Sequence, residues 1–261
     1  MDKETQMGIE KLQQAIDESN YIVFFGGAGV STESGIPDFR SQDGLYHQKY
    51  KYPPETIVSH TFLMQKQEDF FEFYKDKMLA PDAKPNAAHY KLAELEASGK
   101  LKAVITQNID GLHQAAGSKE VLELHGSVLR NYCTRCGKTY SSTDEDVHAG
   151  VKYILASEGI PRCNHEVDGK VCGGVIKPDV VLYEEGLDND VISRTVMHIS
   201  KADMLIIGGT SLVVYPAASF INYFNGKHLA VINLQATGRD SMADIVIHGK
   251  IGEVLSQINV N

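Results

Sequence analysis

Five short apolar runs rich in Val and Ile carry no alternation of polar and apolar residues: YIVFF at 21–25, KAVIT at 102–106, VVLY at 180–183, DMLIIG at 203–208 and HLAVIN at 228–233. DIVIH at 244–248 is a weaker sixth. A strand with one solvated face alternates, whereas a continuous apolar run implies burial on both faces, the condition of a parallel sheet covered by helices. Helical periodicity falls between the runs, at 7–19, 86–98, 188–201, 216–225 and 250–258. Strand and helix in alternation predict an α/β fold, a Rossmann-like doubly wound parallel sheet.

Two detours break that alternation. About 75 residues separate the first two runs, far more than one crossover helix needs, and they include 59–79, SHTFLMQKQEDFFEFYKDKML, which is helical in period. The second detour lies between VLEL at 121–124 and VVLY at 180–183, and it holds every cysteine. The expected division is therefore a sheet domain of 1–34, 80–126 and 179–261, with a smaller domain of 35–79 and 127–178. A cleft between two such units is a common ligand site.

The chain has 261 residues, 43% of them hydrophobic and 23% charged, which is ordinary for a globular protein. Its 25 basic and 34 acidic residues give a net charge of −9. That balance excludes a broad phosphate-backbone footprint, so nucleic acid is not an expected partner. MDKETQMGIEKLQQAI contains no apolar signal-peptide core, and no run approaches the roughly 18 apolar residues of a membrane span. A cytoplasmic location without a membrane partner is the expectation. Thiols in that reducing setting are metal ligands or catalysts more often than disulfides.

Cys133, Cys136, Cys163 and Cys172 are arranged C-x2-C, 26 residues, C-x8-C. A C-x2-C knuckle places two thiolates on one turn, and a second pair closes a tetrahedral site for one structural Zn2+. The long final spacing leaves His165 as an alternative fourth ligand. Arg135, Lys138, Arg162 and Lys170 stand near enough in sequence to offset the negative charge of four thiolates.

Polar groups collect at the predicted strand ends. GGAGVSTESGIPDFRS at 26–41 follows the first run and starts like a phosphate-binding turn, yet the third glycine position of G-x-G-x-x-G is Thr32 and no ribose acid follows a second strand. TQNIDGLH at 106–113 presents Gln107, Asn108 and Asp110; LHGS at 124–127 presents His125; GGTSLVVYP at 208–216 is a second small-residue turn; and INLQAT presents Asn233.

Taken in order, GAGVSTESGIPDFR, TQNIDGLH, HG, the four-cysteine module, KPDVVLYEE, GTSLVVYP and IVIHGKIGEVL resemble the sirtuin family of NAD-dependent protein deacylases over nearly the whole chain, in a bacterial form. The resemblance implies that NAD is consumed as a co-substrate: the acyl oxygen of an acyl-lysine protein or peptide attacks the ribose carbon bearing nicotinamide. Nicotinamide, deacylated lysine and O-acyl-ADP-ribose are the products. His125 matches the general base, for which an imidazole near its reference pKa of roughly 6.5 is suited, and Asn108 matches the family's second catalytic position. Ala28, Thr32 and Arg40 match contacts to the NAD ribose and phosphates, and Phe39 matches the cover over the reacting carbon. Ile109 and Asp110 match the nicotinamide pocket, Gln107 a ribose contact, and Thr210, Ser211, Asn233 and Ile251 the adenosine half.

The same resemblance lays the substrate peptide as an added strand between Val180, Val181, Leu182 and Tyr183 on one edge and Val213 on the other. Such pairing reads backbone, so loose sequence specificity is expected. The chain departs from the family where Glu184 stands in place of the commoner Gly, an extra carboxylate that favours lysine-rich substrates. Desuccinylating relatives carry Tyr-x-x-Arg in the accessory helix; here the stretch gives Tyr74 and Lys77, which lacks the bidentate fork of Arg. The alternative is that both simply lie on an amphipathic helix face. Deacetylation is the expected activity, with desuccinylation weak. Protein mono-ADP-ribosylation and a non-catalytic NAD-binding interaction module are the competing readings.

Overall fold

A computed structural model of the chain describes residues 3–38, 44, 50–143 and 145–260. From the N-terminus, α1 (Lys3–Glu18) leads into β1 (Ile22–Gly26), whose end turns through two 3-10 segments, Ala28–Val30 and Thr32–Ser34. The first detour holds α2 (Pro54–Ile57), α3 (His60–Gln65), α4 (Gln67–Phe73) and a π-helical turn, Tyr74–Met78. α5 (Ala87–Ala97), β2 (Leu101–Thr106), α6 (Leu112–Ala115) and β3 (Val121–Glu123) follow. The second detour comprises β4 (Gly126–Cys133), α7 (Ala149–Ala156), β5 (Glu166–Val167), β6 (Lys170–Val171) and β7 (Ile176–Val180). The chain closes with α8 (Asn189–Lys201), β8 (Met204–Gly208), the 3-10 helix Ala217–Tyr223, β9 (His228–Asn233), β10 (Ile245–His248) and α9 (Ile251–Leu255).

Six strands form one sheet in the order β10-β9-β8-β1-β2-β3, with every neighbouring pair parallel. β1 and β8 are buried at every position, as continuous apolar runs require. Alternate side chains feed opposite cores. Phe24 and Ile206 pack with Leu12, Leu92 and Leu255 beneath α1, α5 and α9. Val23, Phe25 and Leu205 pack with Ile199 and Phe220 on the other face. A third cluster joins Phe70, Phe71 and Tyr74 to Val128, Val151, Ile176 and three of the cysteines. Each large apolar side chain so buried contributes about 1.5–3 kcal/mol.

The expectation that VVLY at 180–183 is a strand of the main sheet is corrected. β7 ends at Val180 and runs antiparallel to β4 in a separate two-stranded sheet. Pro178 within it lacks the N–H that a central strand donates. Beyond it the backbone bonds elsewhere: Val181 N–H to the His125 carbonyl at 2.9 Å and Tyr183 N–H to the Val58 carbonyl at 3.0 Å. The place beside β2 belongs to residues 121–123. The single helix read over 59–79 is also corrected, because Lys66 leaves helical geometry at φ −137° and ψ 56° and divides α3 from α4. No helix among the described residues is long and apolar enough to cross a membrane.

Candidate active site

Register decides where the polar groups meet. Gly26 at the end of β1 pairs with Thr106 of β2 and with Gly208 of β8, so the loops after all three strands leave the sheet at one level. The turns after β1 and β8 touch directly: Gly29 N–H donates to the Gly209 carbonyl at 2.8 Å. A Cβ on Gly29 would lie 2.8 Å from the Gly209 Cα, so side chains are excluded from this contact. The GxG signal therefore marks a close approach of two backbones, and the chain then makes 3-10 turns in place of a long helix.

Around these turns the side chains interlock. Asn108, buried, donates from Nδ2 to Ser31 Oγ at 3.0 Å, and Ser31 Oγ donates to Asp110 Oδ2 at 2.6 Å. Asp110 Oδ1 accepts the Leu112 N–H at 2.9 Å, which starts α6. Burial pushes the Asp110 carboxyl up, while the Ser31 and Leu112 bonds oppose that shift. Gln107 donates from Nε2 to Thr210 Oγ1 at 3.1 Å, joining the loop after β2 to the turn after β8. Thr32 Oγ1 donates to the Gly29 carbonyl at 3.0 Å, and Ala28 lies half-buried in the same turn. Ser31 is the residue that sequence reasoning missed; its signal was its place in the turn after β1, where a buried hydroxyl can bond both Asn108 and Asp110.

His125 follows β3, and its Nδ1 lies 3.0 Å from the Gln107 carbonyl. A carbonyl only accepts, so the proton resides on Nδ1 and Nε2 is left with a free lone pair. Burial lowers the imidazole pKa below its ordinary value, with the Gln107 carbonyl partly opposing the shift. The His125 imidazole is thus tuned lower than the value near 6.5 expected from sequence. Gly126 takes φ 75°, and a Cβ there would lie 2.0 Å from the Asp179 carbonyl, so glycine is required where β4 leaves His125.

Toward the outer strands, Asn233 ends β9 and donates from Nδ2 to the Gln235 carbonyl at 2.8 Å. Asn233, Ile251, Thr32 and Glu33 line a cavity of about 20 Å3. Thr210 is buried and accepts the Leu212 N–H, while Ser211 is exposed beside it. Ile109 accepts the Val128 N–H at 2.9 Å through its carbonyl and packs against the third cluster. Phe39 and Arg40 lie outside the described residues.

Val180 and Leu182 are buried, Val181 is half-buried and bonded to His125, and Tyr183 is exposed. Val213 is exposed on the turn after β8. The segment 182–185 is clamped by acids: Glu185 accepts the Leu182 N–H at 2.9 Å, Lys177 Nζ at 3.1 Å and His60 Nδ1 at 2.9 Å. Burial works against the charged Glu185, and these three bonds hold its pKa below the usual carboxylate range. Glu184 adopts φ 76°, the left-handed region that favours glycine, and accepts the Thr61 N–H at 2.8 Å. Tyr74 is 1% exposed and stacked on Phe70, its hydroxyl without a hydrogen-bond partner among the described residues. Lys77 instead is partly exposed and pairs with Asp76 at 2.9 Å.

The four cysteine Sγ atoms lie within 4.8 Å of one another. Cys133 is 3.7 Å from Cys172 and Cys136 is 3.6 Å from Cys163. Tetrahedral Zn2+ with bonds of about 2.3 Å sets its sulfurs about 3.8 Å apart, so the residues fit the ion. His165 Nδ1 lies 3.8 Å from Cys136 Sγ, beside a set already complete with four thiols.

Residues 27–216 match the Sir2 family. An "NAD-dependent protein deacetylase" of Clostridium acetobutylicum is 57% identical over 253 residues, covering 96% of this chain and 97% of the relative. One of Clostridium perfringens with the same description is 58% identical, covering 96% and 98%. Among solved structures, one described as "Structural Basis for the Mechanism and Regulation of Sir2 Enzymes" aligns with a TM-score of 0.83 at 40% identity, over 97% of this chain and 96% of that one. A Sir2 structure with a deacetylated p53 peptide and 3′-O-acetyl-ADP-ribose aligns at 0.82 and 38% identity, over 95% of each chain.

Proposed function

The chain belongs to the Sir2 family, and from that premise we propose that it is an NAD-dependent protein lysine deacetylase. With one water consumed, the acetyl group passes from acetyl-lysine to ADP-ribose, leaving free lysine, nicotinamide and O-acetyl-ADP-ribose. One observation carries the reading: the His125 imidazole is oriented by the carbonyl of Gln107, the residue that precedes the Asn108–Ser31–Asp110 network, and the His125 carbonyl accepts the Val181 N–H.

NAD supplies an electrophilic ribose carbon with nicotinamide as its leaving group. In this reading Asp110 accepts from the nicotinamide carboxamide, and Asn108, fixed through Ser31, orients the same end. Ile109 walls that pocket, and Gln107, Ala28 and Thr32 hold the nearer ribose and the phosphates, with Arg40. Phe39 covers the reacting carbon, where exclusion of water suppresses simple hydrolysis. Thr210, Ser211, Asn233 and Ile251 hold the adenosine half. His125 Nε2 takes the proton released from a ribose hydroxyl.

The peptide lies between Val180–Tyr183 and Val213, and the helical and zinc-bearing segments 35–79 and 127–178 form a smaller domain that carries one wall. Cys133, Cys136, Cys163 and Cys172 hold one Zn2+ with no open position, a structural role. Tyr74 and Lys77 bound the acyl end. Lys77, engaged with Asp76 at 2.9 Å and lacking the bidentate fork of Arg, favours acetyl over succinyl groups. A cytoplasmic location fits the free cysteines.

The test is incubation with NAD and acetyl-, succinyl- and longer acyl-lysine peptides, reading nicotinamide and the acyl-ADP-ribose by mass spectrometry. Transfer of ADP-ribose onto protein in place of the acyl product would favour ADP-ribosylation, and NAD binding without nicotinamide release would leave a non-catalytic module.

A further inference from the structure

The cofactor turn carries an acid that the chemistry above does not use. Glu33 sits in the 3-10 segment Thr32–Ser34 and accepts the Gly252 N–H through Oε1 at 2.7 Å. A Cβ on Gly252 would lie 2.6 Å from Glu33 Oε2, so a glycine at this point lets the carboxylate rest against the start of α9. The half-buried side chain lines the same small cavity as Thr32, Asn233 and Ile251, at the carboxyl ends of the strands. Dinucleotide sites on such sheets hold the adenosine ribose with an acid that closes the second strand. The detour after β1 removes that element here, and Glu33 brings a carboxylate to the site from the turn itself.

We propose that Glu33 is the specificity-determining residue that admits an unphosphorylated adenosine ribose and rejects one bearing a 2′-phosphate, so that the site takes NAD and refuses NADP. The proposal rests on the NAD reading above. A ribose hydroxyl can donate to a carboxylate. A 2′-phosphate instead brings about −1.5 to −2 charge toward it. Repulsion between like charges a few ångströms apart strengthens as the cavity excludes water. Lys250 lines the same cavity, is 54% exposed and pairs first with Glu253 at 3.1 Å, while the Glu33 charge reaches it only secondarily.

Calorimetric titration of the full zinc-loaded chain with ADP-ribose and with 2′-phospho-ADP-ribose tests this without any acyl chemistry. Glu33→Gln keeps an oxygen for the Gly252 N–H and removes the charge. The wild type is expected to prefer ADP-ribose by about a hundredfold, and E33Q to narrow that ratio about tenfold with ADP-ribose affinity held within about threefold. An unchanged ratio overturns the proposal. Equal loss of both ligands does so as well, since it would make Glu33 a support for α9. A second arm needs no variant: raising the salt narrows the wild-type ratio if charge carries the discrimination. A constant ratio there would contradict it. Failure of the wild type to bind ADP-ribose at all would sink the NAD reading itself, whereas binding with the ratio unmoved sinks only the role of Glu33.

Discussion

His125 is positioned by one hydrogen bond and tuned by burial, and the two effects make a kinetic prediction. Its pKa lies below the ordinary value, so the imidazole remains a base as the pH falls past the point where a free histidine would protonate. The acid limb of kcat/KM for NAD is therefore expected below about 6.5; a limb above that value in a pH–rate profile would contradict the assignment. Glu184 makes a second prediction. It holds φ 76° with a side chain where glycine is relaxed, and its carboxylate meets solvent beside Tyr183. Glu184→Gly is expected to raise KM about two- to fivefold for acetyl-peptides rich in lysine and arginine and to spare acidic ones. Unchanged KM for basic peptides would remove the carboxylate from substrate selection. Of the site residues, those at strand ends were legible because a strand end fixes where a side chain emerges. Ser31 was not, because its partners Asn108 and Asp110 lie 77 and 79 positions away. The strain at Glu184 was equally hidden, since a sequence carries no dihedral angle.

Among the elements, the buried strands were readable to within a residue or so, because hydrophobic periodicity survives tertiary packing. The run at 180–183 misled for a physical reason: it is apolar on account of neighbouring insertions, and its hydrogen bonds go to His125 and Val58. The break at Lys66 was invisible to a period count, since α3 and α4 together keep Phe62, Leu63, Phe70 and Phe71 on buried faces. Behind the cofactor turn, α5 and α6 meet through His89 and His113, whose rings lie 4.7 Å apart. Asn86 caps α5 and donates to the Val30 carbonyl at 2.7 Å, so this helix also supports the turn. Burial lowers His89 to about 4. Burial, and secondarily the neighbouring His89, lowers His113 to about 3. The unfolded chain takes up these protons at about pH 6.5 while the folded chain refuses them, so stability present above that pH is lost on acidification. The expected slope is roughly 1 kcal/mol per pH unit for each histidine between about pH 6 and 4. Urea midpoints measured across that range check it, and His113→Leu should flatten the dependence; an identical slope in the variant would contradict it.

At the scale of the whole molecule, the fold brings together three turns after β1, β2 and β8, while the second detour supplies a wall through His125, β4 and β7. The strand order that aligns those turns is a consequence of register, which composition does not reveal, although five of the six apolar runs were legible as strands of the parallel sheet. Zinc ties the wall to its own core, because Cys133, Cys163 and Cys172 are buried within the third cluster. Chelation is accordingly expected to release one equivalent of zinc, lower Tm and abolish turnover while the parallel sheet keeps much of its far-UV signal. Retention of full activity after zinc removal would contradict a structural site. The most direct measurement of the central claim is single-turnover product analysis with NAD and an acetyl-lysine peptide, for wild type and His125→Ala. The account predicts equimolar nicotinamide, deacetylated peptide and O-acetyl-ADP-ribose from the wild type, with at least about a hundredfold slower formation in H125A. Equal rates of acetyl transfer from the two proteins would contradict it.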